Sequence, residues 1–237
     1  MSAIDRLTIV GTSHIAPQSL KDVEDTIIAQ EPDIVALELD KKRLFALLNP
    51  QADKTPRWRD YKHVGLKGYL FARLGAWAEK KLGAKVGVSP GSEMLAGLRA
   101  AQQTGARVSL IDQDIEITLK KFSKALTWRE KWHFFVDIIK GVVFRKGIEF
   151  DLSSVPSQEI ITKLTSDVKE RYPSIYRVLI DDRNKLMAKR LARLLHANPE
   201  TRIVAVVGAG HVEEIKALVK KHLNRIASSH TKRDEPS

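Results

Sequence analysis

Four short, mostly β-branched apolar runs, Leu7–Val10, Ile34–Leu39, Val108–Ile111 and Ile203–Val207, constrain the fold more than any other feature of the sequence. Polar residues scarcely alternate within them, so each is expected as a strand buried on both faces, the habit of parallel sheets covered by helices. Between them lie helical patterns: Ser19–Gln30 places Leu20, Val23, Ile27 and Ile28 on one face, and Ser92–Gln103 does the same with Met94, Leu95, Leu98 and Ala101. Strand, helix, strand with short loops predicts an α/β fold with a parallel-type βαβ core. At 237 residues and 43% hydrophobic content the chain can bury such a core, and global disorder is excluded. One domain is expected over 1–226, with a disordered polar tail over 227–237.

Two further regions repeat apolar residues at helical spacing without leading into a strand of this kind. Leu66, Leu70, Leu74, Trp77 and Ala78 form one stripe, and Trp128, Trp132, Phe135, Ile139 and Val142 form another. They predict helical insertions over about 54–85 and 118–200, packed beside the sheet. The formal charge of +11 concentrates in the same places. Basic residues outnumber acidic ones 9 to 2 in 54–85, 8 to 2 in 118–147 and 6 to 2 in 216–237, whereas 1–53 carries 5 against 9. The charge therefore describes the periphery, where it fits peripheral contact with an anionic membrane; with no nucleic-acid motif present, nucleic acid is not an expected partner. No signal peptide or membrane-spanning stretch is visible, and the expected location is cytoplasmic, with membrane association left to the basic blocks. The absence of cysteine removes thiolate metal sites, a thiol nucleophile and disulfides.

Each expected strand runs directly into polar residues at its carboxyl end, where open parallel sheets bind ligands. The first gives Gly11, Thr12, Ser13 and His14; the second carries Glu38 and Asp40, followed by Arg43; the third gives Asp112 and Asp114; the last gives Gly208, Ala209, Gly210 and His211. GTSH and GAGH share the form Gly-x-x-His. Glycine there allows a tight turn, and an imidazole leaving the loop can serve as base or metal ligand. Two histidines and a carboxylate suit a divalent ion with open positions. The competing readings are ordinary ones: a capping or solvated histidine, a charged exit from a strand, and Asp114 as cap of a helix starting near Ile115. Glu38, deeper in its apolar run, is the preferred carboxylate over Asp40. VVGAGHVEEI satisfies only the first half of a dinucleotide fingerprint, since Glu213 stands where the third glycine belongs and would repel a pyrophosphate. P-loop and His-Glu-x-x-His signatures are absent from the sequence.

Four segments in order, LTIVGTSHIAPQSLKDVEDTIIAQEPDIVALELDKKR, PGSEMLAGLRAAQQTGARVSLIDQDIEITLKK, YRVLIDDRNKLMAKRL and VVGAGHVEEI, resemble the TraB family, which includes pheromone-shutdown proteins, archaeal relatives and Tiki-type proteases. The resemblance implies an α/β core of the EreA/ChaN-like superfamily with a helical insertion, and a site built from the two Gly-x-x-His motifs. Carried over by position, it implies His14, His211 and Glu38 as metal ligands, Glu38, Glu93 and Arg183 as catalytic residues, and Gly11 and Gly208 as turn glycines. Arg43, Asp112 and Asn184 are weaker candidates. On the residues alone, Glu93 reads equally as a carboxylate at a helix N-terminus.

These features together predict a metal-dependent hydrolase, peptidase-like, using Mn, Co, Fe or Zn on a peptide or small-molecule substrate. The rival expectation is a non-catalytic protein that captures a peptide signal. Archaeal relatives continue into a hydrophobic C-terminal region, whereas this sequence closes on a basic helix and polar tail, so membrane attachment through its own C-terminus is not expected.

Overall fold

A computed structural model of the chain describes residues 2–13, 17–49, 69, 73, 91–125, 127–130, 132–133 and 158–231. The expected insertion over 54–85 lies outside the described residues except for Tyr69 and Arg73, as do His14 and most of 131–157.

The described residues form an α/β fold around a four-stranded parallel sheet, β1 (Leu7–Thr12), β2 (Ile34–Leu37), β3 (Arg107–Leu110) and β4 (Ile203–Gly208), in the order β1-β4-β2-β3. The helices are α1 (Pro17–Gln30), α2 (Lys41–Leu48), α3 (Ser92–Thr104), α4 (Ile115–Ala125), α5 (Gln158–Arg171), α6 (Pro173–Tyr176), α7 (Asp182–Ala197) and α8 (Val212–Thr231). Local chemistry sets several of their ends. Pro17 opens α1, where its fixed φ suits a first helical turn. Asp40 caps α2 by accepting from the backbone N–H groups of Lys42 and Arg43, and Gly105 closes α3 at φ 71°.

Strand periodicity divides the core into two layers. On one face Ile34, Ala36, Ile203, Ala205 and Val207 meet Met187, Ala188, Leu191 and Leu195 of α7 and Ile215 and Val219 of α8. On the other, Val35, Leu37, Val204 and Val206 meet Val23 and Ile27 of α1 and Met94, Ala96, Ala100 and Ala101 of α3. The stretch 182–197, grouped by sequence with the helical insertion, is thus a layer of the core itself.

Four expectations change. Only β2 and β4 are buried along their whole length; β1 is half-buried, and β3 begins exposed at Arg107 and Val108. The reason is topological, because β4 enters between β1 and β2 and leaves β1 and β3 as edges. The second strand stops at Leu37, two residues short of the apolar run. The stripe read as packed on a core places Trp128 and Trp132 in solvent, 84% and 65% exposed, and the last helix continues to Thr231, past the expected start of the tail. Among the described residues no helix is long and apolar enough to cross a membrane.

Candidate functional site

Parallel strands put all their carboxyl ends on one edge. β1 and β4 are neighbours in register, with Gly11 opposite Val207 and Thr12 opposite Gly208, so the two Gly-x-x-His loops leave adjacent strands at the same level. Gly11 is needed for this proximity: a Cβ there would lie 2.8 Å from Cγ2 of Val212 and 3.3 Å from Cα of Ala209. Gly208 ends β4 at φ −59°, an ordinary conformation, and its N–H points at the site. The N–H of Ser13 reaches Oγ of Ser19, which ties the first loop to α1.

Glu38 continues the parity of Ile34 and Ala36 beyond the end of β2 and so falls on the α7–α8 side, 3% exposed. Its Oε2 accepts the Gly208 N–H at 2.6 Å, and its Oε1 pairs with Nη2 of Arg183. Arg183 in turn holds Asp112, with Nε 3.0 Å from Oδ1 and Nη2 2.6 Å from Oδ2. Arg43 closes the network from α2: Nη2 pairs with Asp112 and Nε donates to Oδ2 of Asp40 at 2.7 Å. Two guanidiniums therefore interleave with three carboxylates, Glu38, Asp112 and Asp40. Burial pushes the Asp112 carboxyl up, but the Arg183 and Arg43 guanidiniums outweigh it and hold the group below the usual carboxylate range. Burial likewise disfavours the charged form of Arg183, and its pairing with Glu38 and Asp112 reverses that.

His211 lies against this network. Its Nε2 is 3.5 Å from Oε1 of Glu38, and its Nδ1 is 2.5 Å from Oδ1 of Asn184. The amide Nδ2 of Asn184 donates to Glu214 at 2.8 Å, and Tyr176 OH donates to the same carboxylate oxygen at 3.3 Å. That chain fixes the amide's orientation, so Oδ1 faces the ring and Nδ1 carries a proton, with Nε2 turned toward Glu38. Carboxylate proximity also raises the Tyr176 phenol after burial, the larger cause, has done so. A π turn, Arg177–Asp181, precedes α7, and Nη1 of Arg183 donates to the Leu179 carbonyl inside it at 3.1 Å. Such insertions often re-aim side chains at functional sites.

The structure thus brings together Glu38, His211, Arg183, Arg43, Asp112 and Asn184. Asp114 caps α4, its Oδ1 accepting the Glu116 N–H at 2.8 Å. Glu93 is buried in the first turn of α3, at the same edge but in the α1–α3 layer. His14 lies outside the described residues. Glu214 and Tyr176 escaped the sequence reading; Glu214 shares the inward stripe of α8 with Ile215 and Leu218, the available signal.

Can these residues hold an ion? Two ligands at about 2.1 Å around a tetrahedral divalent ion stand roughly 3.4 Å apart. The 3.5 Å between Nε2 of His211 and Oε1 of Glu38 fits that spacing, and Asn184 supplies the outer partner a ligating imidazole needs. Ligation by Glu38 has to compete with Arg183. Among the described residues no group of three His, Asp or Glu gathers for a metal, so a third donor must come from elsewhere.

Acid should expose the role of Asp112. Its depressed folded pKa contributes stability that is fully present above about 4 and is lost as pH falls through the folded value. The urea midpoint of the wild type is expected to drop more steeply below about pH 4 than that of Asp112→Asn; parallel curves would remove Asp112 as the cause.

The family model described as TraB/PrgY/gumN matches residues 3–225. An uncharacterised protein of Methanocaldococcus jannaschii is 35% identical over 215 residues, covering 90% of this chain and 53% of its own length. TraB domain-containing proteins of mouse and human are 25% and 24% identical, each covering 92% of this chain and 64% of their own length. The chain therefore spans between half and two thirds of these relatives.

Proposed function

Because the chain belongs to the TraB/PrgY/gumN family, we propose that its carboxyl-edge cluster is the site of a metal-dependent, peptidase-like hydrolase. One observation carries the reading: a buried imidazole, its proton held on Nδ1 by Asn184, turns Nε2 to a carboxylate oxygen at ligand spacing, beside the start of the other Gly-x-x-His loop. His211 and Glu38 would hold the ion, with His14 as the third donor. A divalent ion bound there would supply Lewis acidity, polarising a carbonyl and acidifying a water.

The protein's own residues do the rest. Gly208 fixes Oε2 of Glu38, which leaves Oε1 facing Arg183 and His211. With Glu38 on the ion, Glu93 would receive the proton of the attacking water. Arg183, already held between two carboxylates, places positive charge where an oxyanion or a substrate carboxylate would develop. Asp112 and Arg43 hold that guanidinium in place.

One feature favours the alternative, a non-catalytic protein that captures a peptide signal: the carboxylates are already neutralised by Arg43 and Arg183. A peptide library incubated with Mn, Co, Fe or Zn separates the two. Cleavage by the wild type, reduced about 10²–10⁴-fold in Glu38→Gln, is expected. Tight peptide binding with no product in any metal would establish the binding protein instead.

A further inference from the structure

A surface built on the segment 127–133 and its neighbours carries a second assignment. Residues 128–130 and 132–133 are helical, and Glu130 in their middle is buried. Its Oε2 accepts from the backbone N–H of Thr127 at 3.0 Å and from the Thr127 hydroxyl at 2.7 Å, while its Oε1 accepts the Ser174 N–H at the start of α6 at 2.6 Å. This carboxylate pins the segment to the domain and fixes which face turns inward. At about 100° per residue, positions two before and two after Glu130 lie roughly 160° away from it and about 40° from each other. Those positions are Trp128 and Trp132, 84% and 65% exposed. Two indoles therefore project together on the outward face of an anchored helix.

The neighbouring surface is basic. Lys121, Lys124 and Arg177 line a shallow cavity of about 360 Å³ with Ala125, Val178 and Asp182, and its α4 residues immediately precede the tryptophan segment in the chain. Asp182 is engaged by Lys121 at 2.8 Å, and Arg129 is exposed beside Trp128. Glu130, an acid of the basic block 118–147, is turned inward.

We propose that the outward face bearing Trp128 and Trp132, with the cations Lys121, Lys124, Arg129 and Arg177, docks this protein on an anionic lipid surface. Indole rings settle at the level of lipid headgroups because one edge is polar and the body apolar, and flanking Lys and Arg add attraction to anionic lipid. A two-fold contact between copies through this face would set the patch against its own charge, which argues against a second chain as the occupant. The test of this surface does not use activity.

Vesicles of phosphatidylcholine alone and with 30% phosphatidylglycerol are sedimented with wild type, Trp128→Ala/Trp132→Ala, and Lys124→Glu/Arg129→Glu, at low and high salt. All substituted side chains are exposed, and thermal melts confirm that the variants fold. The expected result is binding to anionic vesicles only, weakened several-fold by salt and about tenfold by either double substitution. Wild-type tryptophan fluorescence should be quenched by brominated lipid more than that of the double-alanine variant. Failure to pellet at low salt, equal pelleting of wild type and both variants, binding of a 20-mer oligonucleotide in place of vesicles, or a dimer dissolved by the tryptophan substitutions would each overturn the assignment.

Discussion

Arg183→Ala is expected to destabilise the protein by about 3–5 kcal/mol, since it leaves Asp112 and Glu38 buried without their shared counter-charge. Asp112 keeps Arg43, and Glu38 keeps the Gly208 N–H, but neither can repeat the fork by which one guanidinium spans two carboxylates. Lysine should restore little of the loss, because an ammonium is a point charge and cannot present Nε and Nη2 together. The pH dependence has a definite sign. Without the cation, the burial of Asp112 is opposed by Arg43 with no help from Arg183, so its carboxyl pKa rises relative to the wild type, and the penalty is largest at neutral pH and shrinks as pH falls and the carboxylate takes up its proton. Urea titrations of wild type and variant at pH 7 and pH 4 should show the gap narrowing. A gap below about 1 kcal/mol at pH 7 would mean that the network holds little of the fold.

The sequence made some members of this network visible and hid others for physical reasons. Glu38 could be read because strand parity carries it to the same face as Ile34 and Ala36, and the Gly-x-x-His form exposed His211. Arg183 and Asn184 came only with the family resemblance. They occupy the inward stripe of α7, one turn before Met187, Ala188, Leu191 and Leu195, yet polar residues at the end of an amphipathic helix have an ordinary solvated reading. Glu214 was hidden more thoroughly, since an acid in the first turn of a helix is already explained by the helix dipole. Strand order was not legible: buried runs predict a parallel sheet, but nothing local says that the last strand enters between the first two and leaves the third at an edge. Trp128 and Trp132 show the same limit from the other side. Spacing by four puts two residues on one helical face, and only the buried Glu130 decides that the face looks outward.

The largest functional effect away from the first contacts of the site is expected from Asn184→Leu. The leucine preserves volume and removes both halves of the amide's work: its oxygen no longer holds Nδ1 of His211, and its nitrogen no longer satisfies Glu214. Loss of an outer partner of this kind lowers ion affinity or activity about 10–100-fold, because the ring rotates and its two tautomers compete for Nε2. Calorimetry with Zn or Mn should show that weakening, and ring nitrogen chemical shifts of His211 should change from a single Nδ1-protonated form to a tautomer mixture. The stability cost should stay within about 1–3 kcal/mol, the scale of leaving one buried polar group unsatisfied. Glu214→Gln separates orientation from charge. Glutamine can still accept from Nδ2 of Asn184 through its carbonyl oxygen, so the tautomer should persist while the carboxylate's charge is gone. If Asn184→Leu leaves both the metal affinity and the tautomer of His211 unchanged, the hydrogen bond between them is structural, and the imidazole owes its orientation to Glu38 alone.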